Sequence, residues 1–133
     1  MVLKLTPEVI SMVIGAPTEK VDPAWFNTET YDLYGANDEI PPAISSEMLI
    51  EFPKVRESDV QRAYVNSLND RTLSNRFKHL TDEEFWREFW NTFDDGGLRL
   101  ANYRAYEEAF YKQTVKQWCR DNGIAYYIPD DRK

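Results

Sequence analysis

The chain has 133 residues, of which 42% are hydrophobic and 29% are charged, and its formal net charge is −7 at pH 7. This length predicts one domain, residues 1–133, that buries its own core, and the composition is too apolar for a disordered chain. The acidic balance argues against direct nucleic-acid binding and against adhesion to an anionic membrane, because both require a basic face.

The negative charge is concentrated near the N-terminus. Residues 1–51 contain nine acids and two lysines, whereas residues 52–133 contain fourteen acids and fourteen bases. The whole excess of negative charge therefore belongs to the first part of the chain.

Cysteine usage and hydropathy indicate the compartment. Cys119 is the one cysteine, so an internal disulfide cannot form and a reducing compartment is expected. Pro7 and Glu8 interrupt the apolar run that a signal peptide would need, and no stretch is as long as a membrane span. We expect a cytoplasmic protein.

A short first helix is predicted within residues 1–15. Thr6 can cap it, Pro7 takes the first helical position, Glu8 complements the helix dipole, and Gly15 closes it. The apolar side chains between these signals predict a helix that is buried on most sides; they are Val9, Ile10, Met12, Val13 and Ile14.

Residues 16–52 form an irregular acidic segment. Aromatic and β-branched residues flank the polar stretch Asn27–Thr30, a pattern that predicts a small hairpin with its turn at those four residues. A second turn is predicted at Gly35–Asp38.

The remaining residues, 53–133, have helical periodicity. Ser58 and Gln61 resemble a capping box, Asn69-Asp70 predicts a break, and Thr81 with Glu84 forms a cleaner capping box. A turn at Asp94–Gly97 precedes a long helix that Gly123 ends, and Ile124–Ile128 can add a short strand. The inner positions predicted for the long helix are Leu98, Ala101, Ala105, Ala109, Val115, Trp118 and Cys119. The expected fold is mainly α with a minor β component (an α+β variant), a bundle-like helical domain with a small N-terminal hairpin.

Three stretches carry a resemblance to a known family. The C-terminal pattern Tyr-Lys-Gln from Tyr111, followed by Trp-Cys-x-Asp-Asn-x-Ile from Trp118, is similar to the end of a bacterial family of uncharacterised proteins. Phe26–Thr30 resembles the early hairpin of that family, and Arg76–Lys78 resembles its Arg-Phe-Lys element. The resemblance implies a bacterial origin and a helical fold with a small hairpin, and it implies no mechanism.

Residues that could perform catalysis are few. Cys119 and His79 are the one cysteine and the one histidine, so they are the only possible pair of thiol nucleophile and imidazole base. A cysteine beside Trp118 is more typical of a packed side chain. One His and one Cys are too few for an ordinary zinc site. Glu84 and Glu88 share a helix face, which a solvated surface explains as well as acid–base chemistry. We therefore expect a protein without cofactor or metal that is not an enzyme, while a small enzyme using carboxylates or Cys119 stays an alternative.

Two groups of residues are candidates for binding a partner. The first group is five of the acids of the irregular segment, namely Asp32, Asp38, Glu39, Glu47 and Glu51. The second is on the aromatic helix Phe85–Phe93, where Trp86 and Trp90 form a row beside the phenylalanines. The first hypothesis is a non-catalytic protein–protein interaction protein, whose partner could be a second copy of the chain. The alternative is an acidic mimic of nucleic acid that inhibits a DNA- or RNA-binding protein.

Overall fold

A computed structural model describes residues 1–35, 37–94 and 96–129. Ala36 and Asp95, which belong to two of the predicted turns, lie outside the described residues. The fold is mainly α with a minor β component, as the sequence predicts.

The described part of the chain contains five α-helices and five short strands. The helices are α1 (Pro7–Ser11), α2 (Glu57–Ser67), α3 (Arg71–Phe77), α4 (Asp82–Phe93) and α5 (Leu98–Asp121). The strands are β1 (Leu3–Lys4), β2 (Ala24–Asn27), β3 (Leu33–Tyr34), β4 (Leu49–Phe52) and β5 (Tyr126–Tyr127), and a single 3-10 turn (Ser46–Met48) precedes β4.

The chain divides into two compact units. Unit 1 comprises residues 1–14, 21–54 and the chain from residue 111 onward, and unit 2 comprises residues 15–20 and 55–110. Helix α5 contributes its first thirteen residues to unit 2 and the others to unit 1.

Unit 1 contains an antiparallel sheet of order β3-β2-β4 and a parallel pair, β1 with β5. The predicted hairpin is β2 with β3, and its turn forms where expected because Asn27 Oδ1 accepts hydrogen bonds from the Glu29 and Thr30 amides at 2.8 and 3.1 Å. Strand β4, which pairs with β2 along its whole length, was not predicted from the sequence. The short strand predicted within Ile124–Ile128 is β5.

The core of unit 1 is formed where α5 meets the sheet. The Trp118 indole lies edge-on to Phe26 of β2 at 5.3 Å and to Phe52 of β4 at 4.9 Å between ring centroids. Its Nε1 donates to the Glu51 carbonyl at 3.0 Å. Because Trp118 reaches two strands and the backbone of one of them, it fixes how this part of α5 packs on the sheet.

Unit 2 is built around Tyr64 of α2. Its ring packs against four others at centroid distances of 5.1 to 6.3 Å, and these belong to Phe89 and Phe93 of α4 and to Tyr103 and Tyr106 of α5. Phe77 of α3 packs on Phe85 of α4 at 4.6 Å. Aromatic pairs of this geometry add stabilisation beyond the buried area, so ring contacts join α2, α4 and α5 around Tyr64 and join α3 to α4 through Phe77 and Phe85.

Several predicted helix signals are confirmed. Thr81 and Glu84 form the complete capping box of α4, and the Thr6 hydroxyl accepts from the Val9 amide to cap α1.

The predicted helix breaks are also confirmed. The break after α2 falls at Asn69, whose φ is 54°, and Asp70 then caps α3. Gly123 ends α5 with a φ of 67°, a conformation that favours glycine.

Three predictions about the helices are wrong. Helix α1 ends at Ser11 instead of near Gly15, and none of its residues is buried. Ser58 and Gln61 form no capping box because both are fully buried inside unit 2 and make no side-chain hydrogen bond to a described residue. The Glu57 and Ser58 amides instead donate to the Ala16 and Pro17 carbonyls.

The third error concerns the inner face of α5. Four of its predicted inner positions are exposed, namely Leu98, Ala101, Ala105 and Ala109, and Leu98 is 76% exposed. Bulky rings occupy the interior instead, because Tyr103 and Tyr111 are buried there. The other three predictions hold: Val115 and Cys119 are fully buried, and Trp118 is half-buried.

Asp82, at the start of α4, connects that helix to α2. Its two carboxylate oxygens accept from Arg56 Nη1 at 2.8 Å and from Arg62 Nη2 at 2.9 Å. The hydrogen bond from Arg62, followed by the charge of Arg56, lowers the pKa of Asp82.

We expect Asp82→Asn to lower the free energy of unfolding at pH 7 by about 1 kcal/mol or less, since solvent screens these half-buried pairs. A lowered pKa stabilises the folded state above the unfolded-state value of 3.8, and that stabilisation is lost as the pH falls through the folded-state value. Urea unfolding of the wild type and the variant at pH 7 and at about pH 2 measures this. The difference should vanish at the lower pH.

Glu83→Gln is the matched control, because it also removes one charge from the first turn of α4. Its only ion pair among the described residues, with Arg87 at 3.6 Å, is strongly exposed. An equal loss of stability in both variants would contradict a specific role for Asp82.

Candidate functional site

The five acids predicted to contact a partner all lie on unit 1 and are exposed. Asp32 precedes β3 and Asp38 follows it, Glu47 is in the 3-10 turn, and Glu51 is on β4. Glu39 lies in the connection between β3 and that turn. The β3-β2-β4 sheet and its connections therefore place these acids at the surface of one unit.

Local hydrogen bonds position two of these carboxylates. Asp32 Oδ2 accepts from the Thr30 hydroxyl at 2.9 Å, and Asp38 Oδ2 accepts from the Gly35 amide at 2.7 Å. Both contacts are with neutral groups of the same turn, so the negative charges stay uncompensated.

No acid of residues 21–54 forms an ion pair with any described residue. This stretch contains seven acids and one base, Lys54, which corresponds to a net charge of −6. Burial lowers the pKa of Lys54, and no neighbouring carboxylate opposes that shift. The single cation of the stretch is thus not placed to neutralise its acids.

Unit 2 differs, because five of its seven arginines are paired with acids. Ion pairs within residues 55–110 join arginines of α2, α3, α4 and α5 to nearby carboxylates. Residues 21–54 thus combine a large excess of acids with an absence of ion pairs to the described residues.

The structure gives the two candidate tryptophans partners inside unit 2. Trp86 is half-buried, and its Nε1 donates to Glu57 Oε1 at 2.8 Å. Trp90 is also half-buried; the Arg104 guanidinium lies 5.0 Å from its ring centroid, and Tyr103 packs edge-on to it at 5.8 Å. The acids belong to unit 1 and the tryptophans to unit 2, so they are two candidate surfaces. The two indoles already contact other side chains of unit 2, whereas the acids form no ion pair with a described residue.

Cys119 has the properties of a packed side chain. It is fully buried, and burial raises its pKa to about 11, an effect that the nearby Arg120 charge opposes. His79, the other half of the considered dyad, is exposed in the turn after α3. A buried thiol with a raised pKa is a poor nucleophile at neutral pH.

The remaining catalytic candidates serve the fold. Glu84 closes the capping box of α4, and Glu88 pairs with Arg76 at 2.6 Å while accepting from the Thr92 hydroxyl. Among the described residues there is no group of three His, Cys, Asp or Glu side chains that could hold a metal ion.

Sequence reasoning missed a cleft in unit 2. Its volume is about 310 Å³, and its lining comes from α2, α3 and α4 and from the turn after α3. The lining residues are Arg62, Val65, Asn66, Ser74, Asn75, Phe77, Lys78 and Phe85. No motif could have indicated this cleft, because its residues have no common spacing along the chain.

Comparison with known proteins assigns no relative. No family model, no curated protein and no solved structure matches the chain. Within the part of the chain that the structure describes, no helix is both long enough and apolar enough to span a membrane.

The burial of Cys119 predicts slow thiol chemistry. At pH 7 a pKa near 11 leaves roughly one thiol in ten thousand ionised, and the thiolate is the reactive form. We expect iodoacetamide to alkylate the native protein at least about a hundredfold more slowly than the urea-unfolded protein, measured by mass spectrometry.

The matched control combines Cys119→Ser with Lys112→Cys, which moves the thiol to an exposed position of the same helix. That variant should react at similar rates in native and unfolded protein. Rapid alkylation of native Cys119 would contradict the structural role assigned to it.

Proposed function

We propose that this protein is a non-catalytic binding protein whose partner is another protein with a basic surface. The contact surface is the acidic face of unit 1, defined as Asp32, Asp38, Glu39, Glu47 and Glu51. The observation that carries the proposal is that these exposed carboxylates have no cation partner among the described residues, whereas five of the seven arginines of unit 2 are paired with acids.

Uncompensated charge of one sign contributes nothing to the stability of the fold. Like charges on one small unit repel each other, and this repulsion opposes the compact state. A basic partner would remove the repulsion and gain favourable electrostatic energy on binding. The acidic face is thus better suited to an intermolecular role than to an intramolecular one.

The negative charge of the acidic face disfavours a second copy of the chain as the partner that binds there. Two copies meeting through this face at neutral pH would place carboxylates against carboxylates, which costs energy. A homodimer, if it forms, would have to use another surface.

A fixed scaffold supports recognition by this face. Glu51 is in a strand that pairs along its length with β2, and the turn that carries Asp32 is held by the Asn27 side chain. A backbone that is already ordered loses less conformational entropy when a partner binds. The single thiol fits a reducing compartment, so the proposal places the interaction in the cytoplasm of a bacterium, the source that the C-terminal resemblance implies.

The second candidate function is mimicry of nucleic acid. The same uncompensated acids favour it, because a row of carboxylates can occupy a basic groove that normally holds phosphates. Duplex DNA carries one charge per roughly 1.7 Å of its axis, which is a denser row than this segment offers when extended. In this case the partner would be a DNA- or RNA-binding protein, and duplex DNA would compete with the acidic face for it.

The test begins with an affinity pull-down from bacterial lysate, followed by calorimetry with the purified partner at low and high salt. We expect a basic partner whose affinity falls at least about tenfold when salt rises from 50 to 500 mM, because salt screens exposed charges. Competition by duplex DNA separates mimicry from ordinary protein binding.

The decisive variant neutralises the acidic face by Asp32→Asn, Asp38→Asn, Glu39→Gln, Glu47→Gln and Glu51→Gln. Amides retain the oxygen acceptors that the local turns use. The matched control removes five charges elsewhere, by Glu8→Gln, Glu19→Gln, Glu83→Gln, Asp94→Asn and Glu108→Gln. We expect the first variant to lose the partner and the control to keep it; equal binding by both would overturn the proposal.

A further inference from the structure

The cleft of unit 2 combines an apolar floor with a polar rim. Val65, Phe77 and Phe85 are buried and supply the apolar surface. The other side chains of the lining are polar or cationic: Arg62, Asn66, Ser74, Asn75 and Lys78. A pocket with apolar walls and a few converging polar groups is the usual form of a small-molecule site.

Arg62 is held in place but has unused donors. Its guanidinium lies 4.4 Å from the Phe85 ring centroid, and its Nη2 donates to the Leu80 carbonyl at 3.2 Å and to Asp82 Oδ1 at 2.9 Å. Its Nε and Nη1 groups make no hydrogen bond to a described residue. These N–H groups are therefore positioned in advance and can donate to a ligand.

The rim supplies further donors from α3 and its end. Lys78 is exposed and forms no ion pair with a described residue. Ser74 is one helical turn before it, on the same side of the helix. Among the described residues, neither the Ser74 hydroxyl nor the side-chain amides of Asn66 and Asn75 have a hydrogen-bond partner.

The charge of the lining defines the ligand. No described acid lines the cleft, and Asp82 beside it is shared by Arg62 and Arg56, of which Arg56 also pairs with Asp59. Lys78 is therefore the cation of the lining that has no ion pair with a described residue. One unpaired positive charge matches a ligand with a single negative charge better than it matches a doubly charged phosphate. A volume of about 310 Å³ corresponds to roughly ten water molecules at about 30 Å³ each, so the ligand is small.

We propose that this cleft binds a small carboxylate with a compact apolar body of about ten non-hydrogen atoms. The carboxylate contacts Lys78, Ser74 and the free N–H groups of Arg62, and the apolar body lies against Phe77 and Val65. Such a group can come from a free organic acid or from the C-terminal residue of a peptide.

Phenylacetate is the first probe, and phenylacetamide is its neutral counterpart of equal size. Titrations are followed by amide NMR of the full chain. We expect phenylacetate to shift the amides of Ser74, Asn75 and Lys78, and to bind at least about fivefold more tightly than phenylacetamide. Equal shifts with both probes, or shifts confined to other residues, would overturn the proposal.

Two variants test the assignment of the lining. Lys78→Gln should weaken phenylacetate binding about three- to fivefold, as expected for an exposed charge. Ser74→Leu should fill the cleft and weaken it at least about tenfold, and leucine keeps a good helix former in α3. Lys112→Gln, which removes an exposed charge of unit 1, should leave binding unchanged.

Circular dichroism of each variant confirms that the helices are retained before binding is compared. Unchanged affinity in both cleft variants would contradict the site. A short peptide ending in phenylalanine, with a free or an amidated C-terminus, then identifies the source of the carboxylate. Tighter binding of the free-acid peptide than of phenylacetate indicates a protein C-terminus, and weaker binding indicates a free organic acid.

Discussion

Packing of aromatic rings is the interaction on which both units depend. In unit 1 the Trp118 indole contacts rings on two strands and donates to the backbone of one of them. In unit 2 the Tyr64 ring lies among four others contributed by α4 and α5. Since large rings bury much surface per residue, a chain of this size can build these cores with few side chains. Nine of the nineteen aromatic residues are buried, so the interior of the protein explains about half of the high aromatic content.

Once the rings are assigned to the cores, charge is what distinguishes the surfaces of the two units. In unit 2, Arg56 and Arg62 both pair with Asp82 of α4. Arginines also pack on aromatic rings, as Arg104 does on Trp90. The acids of residues 21–54 are exposed and form no ion pair with a described residue. A surface that the fold does not use for its own stability is free to be shaped by recognition, and this is the basis for favouring the acidic face over the tryptophan row.

Sequence reasoning succeeded where a signal is local. The Thr81–Glu84 capping box, the turn at Asn27 and the break at Asn69 each depend on hydrogen bonds or backbone angles within four residues. It failed where distant residues decide the outcome. Strand β4 is defined by pairing with β2, and the inner face of α5 is chosen by the rings it meets, because alanines and tyrosines recur there at equally good helical spacing. The cleft was inaccessible for the same reason, since three helices must come together before it exists.

The way the units are assembled from the chain has a consequence for the order of folding. Most of unit 2 is one continuous stretch, residues 55–110, so its contacts close short loops. Unit 1 needs three separate segments, and its parallel pair joins Leu3 to Tyr126. Closing so long a loop costs more chain entropy and slows the search for native contacts. The helices around Tyr64 are therefore expected to form early, and the packing of unit 1 is expected to be completed only once the segment that begins at residue 111 has been made.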